Sequence, residues 1–466
     1  MQNTPVLQIL RSLSPATLKA FDKYMASPYL VTHAGTAQLY DYLRPRLQDA
    51  PDAALDNAQV ARALGESDRR LYHLTSYLLE AVEQFLALES WKASLHDSHV
   101  LTVEALRRLQ LDDLSAGMLR YARKRLEADP HRSAEYHRTG YRLQLEAFHL
   151  SQQQGRAKSL NLQELSDAQD VAFITEKLRT GCLLLSHQAV SKRAYEKGLL
   201  NQMLTFLDGH PFLETPSVAA FYHGYYALAG DDASDRHFRR LKELLHDYTE
   251  AFPLAEVHDL YLIAINFCIR RINQAEGRYF RDVFDLYQSG LQHGALLENG
   301  SLSRWTYTNI VLTALNLQEY DWTFRFMHDY APLLPANHRE GALNFNLARY
   351  YYDTGNYTEA MQHLLRMEYD DVLQNLVAKT LLCKIYYEKE EFSALENQLD
   401  SIEIYLRRKK VLGYHKENYQ AIVRMLRKML SLKPGSTPAM ETIRRQIETA
   451  PVLTEREWFL KQLQRG

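Results

Sequence analysis

Apolar residues recurring at three- and four-residue steps constrain this chain more than any other feature. Between residues 66 and 94, Leu71, Leu74, Leu78, Val82, Phe85 and Leu88 form one stripe along a helix. Leu106, Leu109, Leu114, Met118, Tyr121 and Leu126 continue the pattern, with a break expected near Leu111–Asp112. Such stripes need uninterrupted helix, and helix breakers are scarce. Glycine (19) and proline (14) make up about 7% of the 466 residues, where roughly 12% is usual. An all-β chain, which needs a turn about every 8–12 residues, is disfavoured. The expected class is all-α, with helices joined by short loops. Stops are expected at Asp129-Pro130, Gly209-His210-Pro211, Gly230-Asp231-Asp232, Leu334-Pro335 and Pro434-Gly435. Thirty tyrosines suit packed helices, where the ring is buried and the hydroxyl reaches an edge.

Charge and cysteine usage narrow the function classes. The formal net charge is −2, so no global field draws the protein onto nucleic acid or an anionic membrane. Cys182, Cys268 and Cys383 form neither a CxxC pair nor a disulfide framework, which fits a reducing compartment. The start, MQNTPVLQILRSLSPATLKAF, lacks a basic segment followed by a long apolar run, so no signal peptide is expected. The most apolar stretch, Tyr261 to Ile269, is far shorter than the ~20 residues that span a bilayer. The expectation is a cytoplasmic protein. Walker A, GxGxxG, GxSxG and HExxH motifs are all missing, so no enzyme and no cofactor are expected.

Three regions are expected: an N-terminal helical cap or small domain at 1–95, degenerate helix pairs at 96–300, and clearer repeats with capping helices at 301–466. The stretch SQQQGRAKSLN (151–161) has the weakest periodicity and reads as an exposed loop. Within 218–300, further pairs are expected at 218–250 and 254–290.

The clearest unit is 341–374, GALNFNLARYYYDTGNYTEAMQHLLRMEYDDVLQ. Leu347, Ala348 and Tyr351 supply a large, small, large pattern on a first helix. Gly355 marks a turn, and Tyr357, Ala360 and Leu364 belong to a second helix. Shifting by 35 matches Leu382, Cys383, Tyr386 and Phe392, with Glu390 replacing the glycine. Shifting back by 37 matches Ile310, Tyr320 and Met327, with Ala314 replacing a large residue. This unit resembles the tetratricopeptide repeat, a helix-turn-helix module of about 34 residues that stacks into an α-solenoid. The whole chain also resembles an uncharacterised family of large bacterial helical proteins. The segments that carry this are LSPATLKAFDKYMASPYL, EKLRTGCLLLSHQ (176–188) and LLCKIYYEKEEFSALENQLDSIEIYLRRKK (381–410). That resemblance implies a helical fold and no activity.

The tetratricopeptide resemblance implies a concave groove lined by the first helix of each pair, in which a protein or peptide partner lies. Carried over, the groove positions are Phe345, Arg349 and Tyr352 in the clearest unit, and Thr380, Lys384 and Tyr387 in the next. Trp305, Thr308, Leu312 and Asn316 are their counterparts in the unit before. Arg349 and Lys384 fall at equivalent positions and together suit a carboxylate or an acidic segment. The plainer reading is ordinary surface charge and inter-repeat tyrosines.

Two other segments point to nucleic acid as an alternative. From 405 to 433, nine basic residues face one acid, Glu417; they include Arg407, Arg408, Lys409, Lys410, Arg424, Arg427 and Lys428, with Tyr405, Tyr414 and Tyr419 interleaved. Residues 58–75, AQVARALGESDRRLYHLT, spell a helix-turn-helix with Gly65 in the turn and Arg69, Arg70 and Tyr72 opening the second helix. Helical proteins produce both patterns without binding anything. His96 and His99 share a face, but no further ligands follow at metal-binding spacing. Asp231, Asp232 and Asp235 read as helix-capping residues. The favoured expectation is a non-enzymatic interaction scaffold.

Overall fold

A computed structural model describes residues 4–49, 56–153, 160–191, 193–230, 233–365, 372–408, 414–432 and 437–465. Helix dominates throughout, and the only strands among these residues are two-residue stretches, Leu297–Glu298 and Ser301–Leu302, paired antiparallel. The chain divides into two compact units, Met1–Glu176 and Lys177–Gly466.

The first unit begins with α1 (Pro5–Ser12), α2 (Pro15–Met25), α3 (Ala34–Asp49), α4 (Asn57–Leu64) and α5 (Asp68–Ala93). Local chemistry sets the starts. Ser14 accepts a hydrogen bond from the Thr17 amide at 3.1 Å, and Pro15 takes the first helical position, where its missing N–H costs nothing. Ser67 caps α5 in the same way, and Gly65 ends α4 at φ +68°. The α5 stripe read from the sequence is the spine of this region: Leu71, Leu74, Leu78, Val82 and Phe85 are buried in one core with Phe21, Leu39 and Leu43. A second core joins α6 (Leu95–Arg108), α7 (Asp112–Glu127) and α8 (Ala134–Gln153), through Val103, Leu119, Ala122 and Leu143. The helix α9 (Leu162–Ser191) carries the chain past the boundary between the units.

The second unit continues with α10 (Leu200–Leu207), α11 (Pro216–Ala229), α12 (Ser234–Tyr248), α13 (Leu254–Asn273) and α14 (Tyr279–Gln292). Next come α15 (Arg304–Asn316), α16 (Tyr320–Tyr330), α17 (Ala336–Asp353), α18 (Tyr357–Leu365), α19 (Val372–Glu388) and α20 (Phe392–Arg408). The last three are α21 (Tyr414–Leu430), α22 (Thr437–Thr449) and α23 (Arg456–Arg465). From α11 onward each helix packs on its chain neighbour, and α11, α15 and α17 also pack on α13, α17 and α19 respectively. The intervals 218–250 and 254–290 each hold two helices, as expected.

Turn geometry repeats although the residue does not. Gly355 has φ +80°, and the positions 35 later and 37 earlier, Glu390 and Gln318, both have φ +59°. After each first helix the same two bonds close the end. Gly355 N–H donates to the Tyr352 carbonyl at 3.0 Å and Asn356 N–H to Tyr351 at 2.7 Å; Glu390 N–H and Glu391 N–H reach Tyr387 and Tyr386 at 3.1 and 2.8 Å. Gln318 and Glu319 repeat the pattern onto Leu315 and Ala314, both at 3.0 Å. This is the left-handed cap that satisfies a helix's last carbonyls. Ala348, Ala360, Ala314 and Cys383 are fully buried, as small residues between closely packed helices must be.

Among the described residues no helix is long and apolar enough to cross a membrane. The expected stop at Pro434-Gly435, Asp231 and Asp232, and residues 154–159 of the expected loop lie outside the described residues.

Candidate functional site

The last turns of α15, α17 and α19 open onto one cleft of about 690 Å³, whose fourth wall is α23. From α15 come Leu312 and Asn316, from α17 Arg349, Tyr352 and Asp353, and from α19 Lys384 and Glu388. Trp458, Lys461 and Gln462 line it from α23. Register explains the convergence. Arg349 and Lys384 are 35 residues apart, and each is followed four residues later by an acid, Asp353 or Glu388, on the same helical face.

Lys384 is closely surrounded. Its ammonium lies 2.9 Å from Glu455 Oε2, 4.8 Å from the centre of the Tyr352 ring and 5.6 Å from that of Trp458. Only 12% of the side chain is exposed. One turn on, Glu388 accepts from three directions: Tyr352 Oη–H at 2.6 Å, Trp458 Nε1–H at 2.6 Å and Gln462 Nε2–H at 3.1 Å, with the Tyr357 hydroxyl on its other oxygen. Burial pushes the Glu388 carboxyl up, but those donors and Lys384 outweigh it and hold the group below its ordinary value. Glu455 behaves alike: burial raises it, and Lys384 and Arg349 pull it below the usual range. The Tyr352 hydroxyl is driven far up by burial and by the Glu388 carboxylate, so it stays a donor.

Arg349 is different. It is half-buried, and among the described residues no hydrogen bond or close ion pair from its guanidinium is seen; its field reaches Asp353 and Glu455. Asp353 titrates above its ordinary value, because burial, with the carboxylates Glu455 and Glu388, outweighs the attraction of Arg349 and Lys384.

Of the groove positions carried over from the repeat, the cleft gathers Asn316, Arg349, Tyr352 and Lys384, together with Leu312. Phe345 and its equivalent Thr380 are buried at 5% and 4% exposure, so the position one turn before each cation belongs to the core. Trp305 is 55% exposed at the opposite end of α15, outside the cleft lining, and Thr308 accepts from Asn346 at 3.1 Å. Tyr387 packs edge-on to Trp458 at 5.5 Å, behind the cleft. Sequence reasoning missed Glu388, Glu455, Trp458 and Gln462. The repeated cation–acid spacing was a usable signal for Glu388. Nothing local marked the other three, which lie about 70 residues away.

The basic segment does not form one free face. Arg427 pairs with Asp400 at 2.6 Å and Glu403 at 3.4 Å, and Lys428 donates to Gln446 at 2.6 Å. Arg407, Arg408 and Arg424 are exposed, Tyr419 is buried, and Lys409 and Lys410 lie outside the described residues. In the 58–75 segment Arg69, Arg70 and Tyr72 are exposed, and Arg70 Nη2 sits 3.1 Å from His33 Nε2. His96 bonds to Asp129 at 2.8 Å, and the described residues contain no group of three or more metal-ligating side chains. Asp235 lies in the first turn of α12 and accepts from the Tyr279 hydroxyl.

No family model matches the chain, and comparison with curated proteins finds no match.

Proposed function

We propose that this chain is a non-enzymatic interaction scaffold, in which tetratricopeptide-like helix pairs of the second unit stack and present the α15–α17–α19 cleft to a protein or peptide partner. One observation carries the reading. Three consecutive first helices bring Asn316, Arg349 and Lys384 to one open cleft, and among the described residues the Arg349 guanidinium has no hydrogen-bond acceptor. A half-buried cation in that state has donors to offer a ligand, and a carboxylate on a peptide meets them bidentately. The turns at Gln318, Gly355 and Glu390, 37 and 35 residues apart, support the stacked-pair architecture.

Affinity purification from the native host, with the intact chain and with Arg349→Glu, tests this. Proteins held by the first and lost by the second are expected. A variant that keeps every partner removes the cleft from consideration. The nucleic-acid alternative is weaker, since Arg427 and Lys428 already have partners. It requires binding that falls steeply with salt and with charge reversal at Arg407 and Arg408.

A further inference from the structure

One cation of the cleft, Lys384, already holds a carboxylate. Glu455, in the short link between α22 and α23, lies 2.9 Å from Lys384, and both Lys384 and Arg349 lower its titration. Among the described residues, the charged groups near the pair include Arg349, Asp353, Glu388, the exposed Glu457 and Lys461, and Arg456, which donates to the Ala450 carbonyl. We propose that Glu455 is a built-in competitor for this site: it holds Lys384 in the free chain, and an acidic segment of a partner binds by taking its place. The proposal rests on the cleft being the partner site.

The exchange is local. Glu455 precedes α23 and is one-quarter exposed. The helix itself stays anchored by Phe459 and Leu463, which are buried at 0% and 4%. A swing of one side chain therefore frees Lys384 while the core remains closed. The acidic character of the partner follows from the site. Two cations one repeat apart converge on a carboxylate, and only one of them makes a hydrogen bond to it. Bidentate capture by Arg349 of a partner carboxylate beside Lys384 uses donors that Glu455 leaves idle.

The test uses the full chain and a fluorescein-labelled hexaglutamate peptide, followed by anisotropy at low salt. Glu455→Gln is expected to bind it more tightly than the unmodified chain. Removing a competitor that fills its site about nine-tenths of the time tightens binding about tenfold. Glu457→Gln removes the same charge two residues away without removing a competitor and is expected to change affinity less than about twofold. Equal gains from the two variants would reduce the effect to bulk charge and overturn the proposal. Arg349→Gln combined with Glu455→Gln is expected to abolish the gain. If Arg349→Gln weakens binding but Glu455→Gln does not strengthen it, the cleft stands and the competitor falls. If neither variant alters binding, or the peptide binds none of the proteins, both the acidic site and its competitor are lost. A second readout covers the case in which Glu455→Gln is poorly folded. Peptide binding to the unmodified chain should change the emission of Trp458, assigned by loss of the change in Trp458→Phe. Binding with no change in that emission counts against displacement of Glu455.

Discussion

Arg349 on α17 and Lys384 on α19 hold equivalent places in two helix hairpins, 35 residues apart, yet their surroundings are opposite. Arg349 faces an open cleft and has no hydrogen-bond acceptor among the described residues, whereas Lys384 is held between two aromatic rings and a carboxylate. The turns that follow differ the other way: Gly355 and Glu390 adopt nearly the same backbone, one with glycine and one with a bulky acid. Matched helical positions thus fix where a side chain points, and the neighbours decide what it does. For α19 the deciding neighbour is α23.

The comparison breaks most visibly at Glu388. Glu388→Ala strips the acceptor from Tyr352, Trp458 and Gln462 together, and a loss of about 3 kcal/mol in urea unfolding is expected. The corresponding Asp353→Ala, which removes no such acceptor, is expected to cost nothing measurable. A loss at Glu388 below about 1 kcal/mol would mean that water replaces the network freely.

Next come the cations themselves. Lys384→Met leaves Glu455 unpaired and is expected to cost about 2 kcal/mol, while Arg349→Met stays within about 0.5 kcal/mol. The difference carries a pH signature. Glu455 and Glu388 titrate below their ordinary values in the folded chain, so their contribution is complete above the ordinary carboxylate pKa and disappears as pH falls through the lowered one. The gap between Lys384→Met and the unmodified chain should therefore close as pH falls below the ordinary carboxylate range. A gap that is independent of pH would make Lys384 a packing residue only.

The turns give the smallest effect. Glu390→Gly should stabilise by about 0.5–1 kcal/mol, since a non-glycine residue at positive φ is strained. Gly355→Ala should cost about 1 kcal/mol through the backbone alone, because a Cβ there meets nothing within 4 Å. Thermal midpoints moving in the same direction for both would sink the equivalence of the two turns.

The helical fold was legible because stripes such as Leu71 to Phe85 follow the 3.6-residue period, which depends only on local sequence. The register of the hairpins was legible for the same reason, down to the turn at Glu390. Part of the cleft was also readable, since Asn316, Arg349, Tyr352 and Lys384 lie on matched helical faces. Phe345 and Thr380 were misplaced because a helix between two neighbours buries more than one stripe, and a face that looks outward from spacing alone is covered by the adjoining pair. Glu455, Trp458 and Gln462 stayed hidden because they reach α19 through the tertiary path of the last helices, and no local period encodes that distance.

The three thiols have one further consequence. Cys182, Cys268 and Cys383 are buried in α9, α13 and α19, and burial pushes all three thiols upward, Cys383 to about 12. Each therefore reacts with an alkylating reagent only when its own helix is exposed by local opening. The chain carries three internal clocks along one unit. Their relative rates of modification report whether that unit comes apart in a single cooperative event or frays from one end.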